Sequence, residues 1–154
     1  MTAALRKELQ QEALSWEGTP YLHQQMVKGP DGGVDCAKYV AAVALQVGLV
    51  TREVFDTIPP YPREWAIHHE IPLLSETMKL IGCKKKRTLN ANPGDIVVFK
   101  IGRVPSHLGI MLGGQYEGCF IHACAPPLGK VTITPLEAQW RKRLIEVYRF
   151  PGVK

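Results

Sequence analysis

No stretch of the 154 residues approaches the roughly 18 uninterrupted apolar positions that a membrane span requires. Met1 to Gly18 alternates charged with small and apolar side chains and shows no apolar core leading to a small-residue cleavage site. Neither a membrane span nor a secretory signal is expected, so the chain is read as made in the cytoplasm, and a substrate outside it must be reached by another route. Cysteine is scarce: Cys36, Cys83, Cys119 and Cys124 are too few, in so long a chain, for a disulfide framework. Each is therefore read as a reduced thiol, serving as nucleophile, metal ligand or core filler. The basic runs Lys84 to Arg87 and Arg141 to Arg143 lack the interleaved aromatics of a base-stacking platform, so nucleic acid is not an expected partner. Internal repeats and linker-like segments are also absent, which leaves one domain over residues 1–154.

What is present is ordinary globular composition, with 45% apolar and 21% charged residues. The formal net charge of +5 attracts anionic polymers, cell-wall polymer among them, but ranks partners only weakly. Leu5, Leu9, Ala13 and Trp16 recur at helical spacing behind Thr2 as N-cap, with Gly18 as a stop, so the chain opens on an amphipathic helix. Thr19 to Val34 is rich in glycine and polar residues and reads as a loop. From Cys36 the residues Val40, Val43 and Val47 share one face and Gly48 follows as a C-terminal cap, giving a second helix with Cys36 in its first turn. Pro59, Pro60 and Pro62 interrupt regular structure, and Trp65 to His69 and Leu73 to Ile81 read as short helices. Sheet follows: Ile96 to Phe99 after the Asn92-Pro93-Gly94-Asp95 turn, then His107 to Leu112, Cys119 to Cys124, Val131 to Ile133 and Ile145 to Phe150. Thr134 to Glu137 carries a capping-box pattern and is read as the start of a short helix. Helices first and consecutive strands later predict an α+β domain, its antiparallel sheet packed on the early helices.

Cys36 stands out chemically. A thiol in the first turn of a helix feels the positive end of the helix dipole, which stabilises thiolate, although a lone cysteine is more often simply buried. Period-two alternation puts Leu108, Ile110 and Leu112 on one face of a strand and His107, Gly109 and Met111 on the other, and likewise groups Phe120, His122 and Cys124. Gly109 has no side chain, so another backbone is expected to approach there, and the helix bearing the nucleophile is the natural candidate. A thiol to attack a carbonyl, an imidazole to take and return its proton, and a third polar group to orient the imidazole are all available.

Gly18-Thr19-Pro20-Tyr21, Asp35-Cys36, Pro93-Gly94-Asp95, Ser106-His107-Leu108-Gly109-Ile110 and Ile121-His122-Ala123, in this order and spacing, resemble the NlpC-type cell-wall peptidases, the p-sixty family. The resemblance covers Trp16 to Ala123. It implies a papain-like core in which Cys36 attacks, His107 is the base and His122 orients it. Tyr21 would lie near the oxyanion beside the Cys36 amide, and Asp35 and Ser106 would help hold the free amino end of a trimmed stem peptide. No cofactor and no metal is implied. The implied substrate is peptidoglycan stem peptide, cut between D-glutamate and diaminopimelate. The closing Tyr148-Arg149-Phe150-Pro151-Gly152 resembles the ending of a phage-encoded branch, which implies phage tail proteins as partners and a virion-associated location. Two departures stand out: Lys38 occupies a position where the family usually has glycine, and Leu22 to Gln25 replace the aromatic and paired glycines that often follow the tyrosine.

Two readings of another class remain open on the residues alone. Cys119, His122 and Cys124, with Cys36, Cys83 or His107, could serve as zinc ligands, although residues 119 and 122 of one strand point to opposite faces. A catalytically silent wall-binding or tail module would retain the same fold, and the same residues also serve amidases and acyltransferases.

Overall fold

Helix α1 (Ala3–Ser15) begins where Thr2, in extended conformation, accepts the Leu5 amide on its Oγ1 at 3.1 Å. It buries Leu9 and Ala13. Helix α2 (Cys36–Gln46) is apolar nearly all round, burying Tyr39 and the run Val40 to Ala44, as a helix at the centre of a domain must. Its far end closes as a Schellman motif: Gly48, at φ +76°, donates to Leu45 and Leu49 donates to Ala44. A residue with a Cβ would be strained at position 48. Tyr39 locks the helices together, its hydroxyl donating to the Ala13 carbonyl at 2.8 Å and its ring meeting Trp16 edge-on.

The computed structural model describes residues 2–58, 73–101 and 105–151, with Leu73, Pro105 and Ser106 in backbone only. The helix expected over Trp65 to His69 lies outside the described residues. Further elements are β1 (Met26–Val27), β2 (Gly33–Val34), α3 (Arg52–Phe55), α4 (Leu73–Leu80), β3 (Lys84–Lys85), β4 (Ile96–Lys100) and β5 (Pro105–Met111). After a short 3-10 turn come β6 (Cys119–Cys124), β7 (Lys130–Pro135), α5 (Ala138–Arg143) and β8 (Leu144–Arg149). Six strands form one antiparallel sheet in the order β3-β8-β4-β5-β6-β7, and β1 pairs with β2 separately. The α+β architecture expected from the sequence is the one found. Among the described residues no helix is long and apolar enough to cross a membrane.

The sheet buries both faces. Ile96, Val98, Leu108, Ile110, Ile121, Ala123 and Val131 pack with α1, α2 and α4 in the main core. Val97, Phe99, Met111, Phe120, Leu144 and Val147 form a second layer, closed by Leu136 and Trp140. The alternation read for the His107 and Cys119 strands thus sorts correctly, aliphatic residues toward the helices and histidines toward the aromatic layer.

The remaining differences have local causes. The capping box is not formed: Thr134 and Pro135 continue β7, and α5 starts at Ala138 with Glu137 as an N-cap whose side chain makes no capping hydrogen bond. The strand pairing Phe120↔Thr134 holds the threonine extended and overrides the local helix signal. Two-residue strands carry no periodicity, so β1 and β2 inside the expected loop, and β3 inside the basic run, leave no trace in the pattern.

Candidate active site

Asp35 builds the site from below. It is the N-cap of α2, its Oδ1 accepting the Lys38 amide at 2.9 Å, while Oδ2 accepts the Gln24 amide at 2.6 Å and lies 3.9 Å from His23 Nδ1. One buried carboxylate thus fixes both the helix start and the preceding loop, where Gln24 is held at φ +57°. Tyr21 is brought alongside by backbone bonding: Tyr21 bridges Val34 in parallel, Val34 donates to Pro20, and Leu22 donates to Val34. Tyr21 and Cys36 therefore flank the same two-residue segment. Ser106 lies in β5, immediately before His107; its side chain is outside the described residues.

Cys36 is the first residue of α2, and its sulfur faces the backbone amides of Leu108, Ala37 and Cys36 itself. Those amides favour thiolate. Burial, joined by the Asp35 carboxylate, outweighs them and pushes the thiol up to about 12, so the depression expected from the helix dipole is not found in the resting site. Burial is the main reason, and the N-cap adds to it, since the negative group that satisfies the helix end also disfavours a second negative charge on the sulfur. Lys38 does not offset it: its ammonium stands over the Phe55 ring, 4.9 Å from the centroid.

His107 and His122 meet directly. His107 Nε2 lies 2.7 Å from His122 Nδ1, and His122 Nε2 lies 2.9 Å from Thr134 Oγ1. Gly109 permits the approach, though not in the way expected. A Cβ there would fall 2.8 Å from the Ile121 carbonyl oxygen, 2.9 Å from the Phe120 ring and 3.1 Å from His122 Cβ, so what crowds against Gly109 is β6 and not α2. Any side chain at 109 would push β6 off β5 and part the two imidazoles.

An aromatic wall surrounds the pair. The Trp140 ring lies 5.5 Å from the His107 ring and 5.0 Å from that of His122, and Phe99 and Phe120 complete the wall at 6.0 Å from His107 and 4.4 Å from His122. Burial, with a contribution from the Arg143 guanidinium, lowers His107 to about 4; burial and the neighbouring His107 lower His122 to about 3. Both rings are neutral at neutral pH. Cys36 and His107 retain 7% and 8% of their surface, whereas His122 retains none.

Thr134, Trp140 and Arg143 escaped the sequence reading. Thr134 had a usable signal, since a strand extended two residues further would have put it on the His122 face. Trp140 and Arg143 reach the site only because α5 folds back over the sheet. The zinc arrangement loses its central ligand, because both ring nitrogens of His122 are engaged. Among the described residues no three His, Cys, Asp or Glu side chains group around a common point.

The buried histidines make stability depend on pH. Their folded values lie below the ordinary 6.5, so the unfolded chain binds the extra protons. Their stabilisation is complete above about pH 6.5 and is lost as pH falls toward about 4 and then about 3. Thermal unfolding at pH 7 and pH 5 should show a lower midpoint at pH 5. The drop should shrink in His107→Gln; an equal drop in both proteins contradicts the assignment.

A thiol at the start of a central helix and a histidine pair on neighbouring strands of the antiparallel sheet it packs on are thus parts of one α+β fold. The chain belongs to the NlpC/P60 family, whose model matches residues 18–149. No curated protein matches it. Among solved structures, an NLP/P60-family protein described as similar to lipoprotein, from Staphylococcus aureus, superposes with a TM-score of 0.65 at 20% identity, covering 99% of this chain. The chain spans only 43% of that protein. The NlpC/p60 domain of the peptidoglycan hydrolase SagA superposes at 0.56 and 22% identity, over 92% of this chain and 96% of that domain. An N-acetylmuramoyl-L-alanine amidase from Bacteroides uniformis gives 0.56 at 14% identity, over 97% and 100%. At such identities the likeness establishes the shared fold.

Proposed function

We propose that this protein is a cysteine peptidase that hydrolyses peptidoglycan stem peptides at the D-glutamyl-diaminopimelate bond, with residues 1–154 forming one catalytic domain. The observation that carries the reading is the 2.7 Å contact between His107 Nε2 and His122 Nδ1. It commits Nε2 of His107 to the orienting histidine and leaves Nδ1 to exchange a proton with Cys36. The order of exposure supports the same roles, since the two groups that must touch substrate reach the surface and the orienting one does not.

In the reaction, the Cys36 sulfur attacks the scissile carbonyl carbon while its proton passes to His107 Nδ1. The carbonyl oxygen takes up the negative charge beside the Cys36 amide and Tyr21. Collapse of this intermediate breaks the carbon–nitrogen bond, and the leaving amine takes the proton from His107. Water, deprotonated by His107, then hydrolyses the thioester and returns the thiol. Because the resting thiol and imidazoles are neutral, the proton moves as the sulfur attacks, by general-base catalysis. Asp35 and Ser106 are assigned to the substrate's amino end, Asp35 through its charge, since its oxygens already accept two amides. The resemblance of the chain's ending to a phage-encoded branch adds delivery to the wall by a phage tail.

Mass spectrometry of free stem peptides with an L-alanine amino terminus and of defined muropeptides tests the proposal. Release of a diaminopimelate-containing peptide, leaving L-alanyl-D-glutamate either free or on the disaccharide, is the expected result. Disaccharide stripped of its whole peptide would make the protein an amidase, and unchanged substrate would make it a binding module.

A further inference from the structure

The histidine pair does not end at His122. Its Nε2 is 2.9 Å from the hydroxyl of Thr134, one strand further along the sheet, so three side chains on β5, β6 and β7 form one hydrogen-bonded line. Each neutral imidazole carries one N–H and one bare nitrogen, so the line has two self-consistent directions. In one, Thr134 donates to His122, His122 Nδ1–H donates to His107, and His107 is left with its proton on Nδ1. In that state His107 cannot accept a proton from a thiol. In the other, His107 Nε2–H donates to His122 Nδ1, and His122 Nε2–H donates to Thr134 Oγ1, leaving His107 Nδ1 bare. Only this second direction is compatible with a base, and it requires an oxygen acceptor at the far end, because His122 is wholly buried and its N–H would otherwise be orphaned.

We propose that Thr134 is a positioning residue that accepts the His122 Nε2–H and thereby holds His107 in the tautomer whose Nδ1 is free to take the Cys36 proton. The proposal rests on the peptidase reading of Cys36 and His107 and extends it by one residue. When His107 becomes imidazolium during attack, its Nε2–H still donates along the same line, so Thr134 supports the charged state as well as the resting one. The β geometry suits the role: Phe120 pairs with Thr134 and His122 with Thr132, which places the hydroxyl diagonally across from the imidazole on the same face.

Thr134→Val removes the oxygen at nearly constant volume, and Thr134→Ser restores it. For Thr134→Val, kcat on muropeptide is expected to fall about 10- to 100-fold with KM little changed, and Thr134→Ser to keep most of it. The direct readout is the nitrogen-15 NMR spectrum of the imidazoles at pH 7, which distinguishes Nδ1–H from Nε2–H rings without any turnover. Nε2–H on both His107 and His122 in the unmodified protein, moving to Nδ1–H on His122 in Thr134→Val and returning in Thr134→Ser, supports the proposal. A His122 Nδ1–H ring in the unmodified protein overturns it outright, even if Thr134→Val fails to fold. A folded Thr134→Val with unchanged tautomers overturns it too. A protein with the expected tautomers but no activity on any muropeptide or free stem peptide would defeat the peptidase reading and leave the hydrogen-bond direction standing.

Discussion

Cys36→Ala and Cys36→Ser should each abolish muropeptide cleavage, a loss on the order of 10⁵-fold or more in kcat, while unfolding shifts by no more than about 1 kcal/mol. The asymmetry follows from where the sulfur sits. It occupies the first turn of α2, whose start is held by Asp35 through the Lys38 amide and not by the thiol. Removing the sulfur therefore costs little packing and no cap, but it removes the atom that would bond to the scissile carbon. Serine is no substitute, because a hydroxyl is a far weaker acid than a thiol and His107 would have to take a much less available proton. Cys83, buried in the main core, and Cys119 and Cys124 at the ends of β6 serve as controls. Their replacement should leave turnover substantially intact. Turnover retained in either Cys36 variant overturns the assignment of the nucleophile.

His107→Ala should be nearly as damaging as loss of the thiol, because residues that act as one unit are strongly non-additive. His122→Asn should leave more activity than His107→Ala, since an amide can still accept the His107 Nε2–H. The pH profile carries the sign of the effect. Neutral imidazole is the active form, and burial holds His107 at about 4, so kcat/KM should stay flat through neutral pH and fall only as pH drops through about 4. In His107→Ala that acid limb disappears together with the rate. A mild effect of His107→Ala beside a total loss in His122→Asn would exchange the two roles, and an acid limb near 6.5 would mean an imidazole far less buried than this one.

Several features of the site were readable in the chain because their causes are local. Thr2 and Asp35 are short polar side chains standing just before apolar-periodic runs, and each caps a helix by accepting the amide three residues on. Gly48 ends α2 because a left-handed residue is needed there. His107 and His122 face away from Leu108, Ile110, Ile121 and Ala123 because alternation along a strand is a property of the backbone. Thr134 was misread for an equally physical reason, since its local motif favours a helix cap while pairing with β6, a non-local interaction, keeps it in the sheet.

By itself, then, the sequence determined the helix that presents Cys36, the faces on which the two histidines lie and the α+β order of elements, all set by propensity, capping and period within a few residues. Only the tertiary structure decided the rest. That β6 crowds against Gly109 and brings His122 within 2.7 Å of His107 depends on strand packing. That Thr134 ends the hydrogen-bonded line, and that Trp140 and Arg143 close over the imidazoles, depends on β7 and on α5 folding back across the sheet. The neutral state of the thiol and both rings is likewise a tertiary outcome, because desolvation is the sum of everything packed around a group, and no window of sequence contains it.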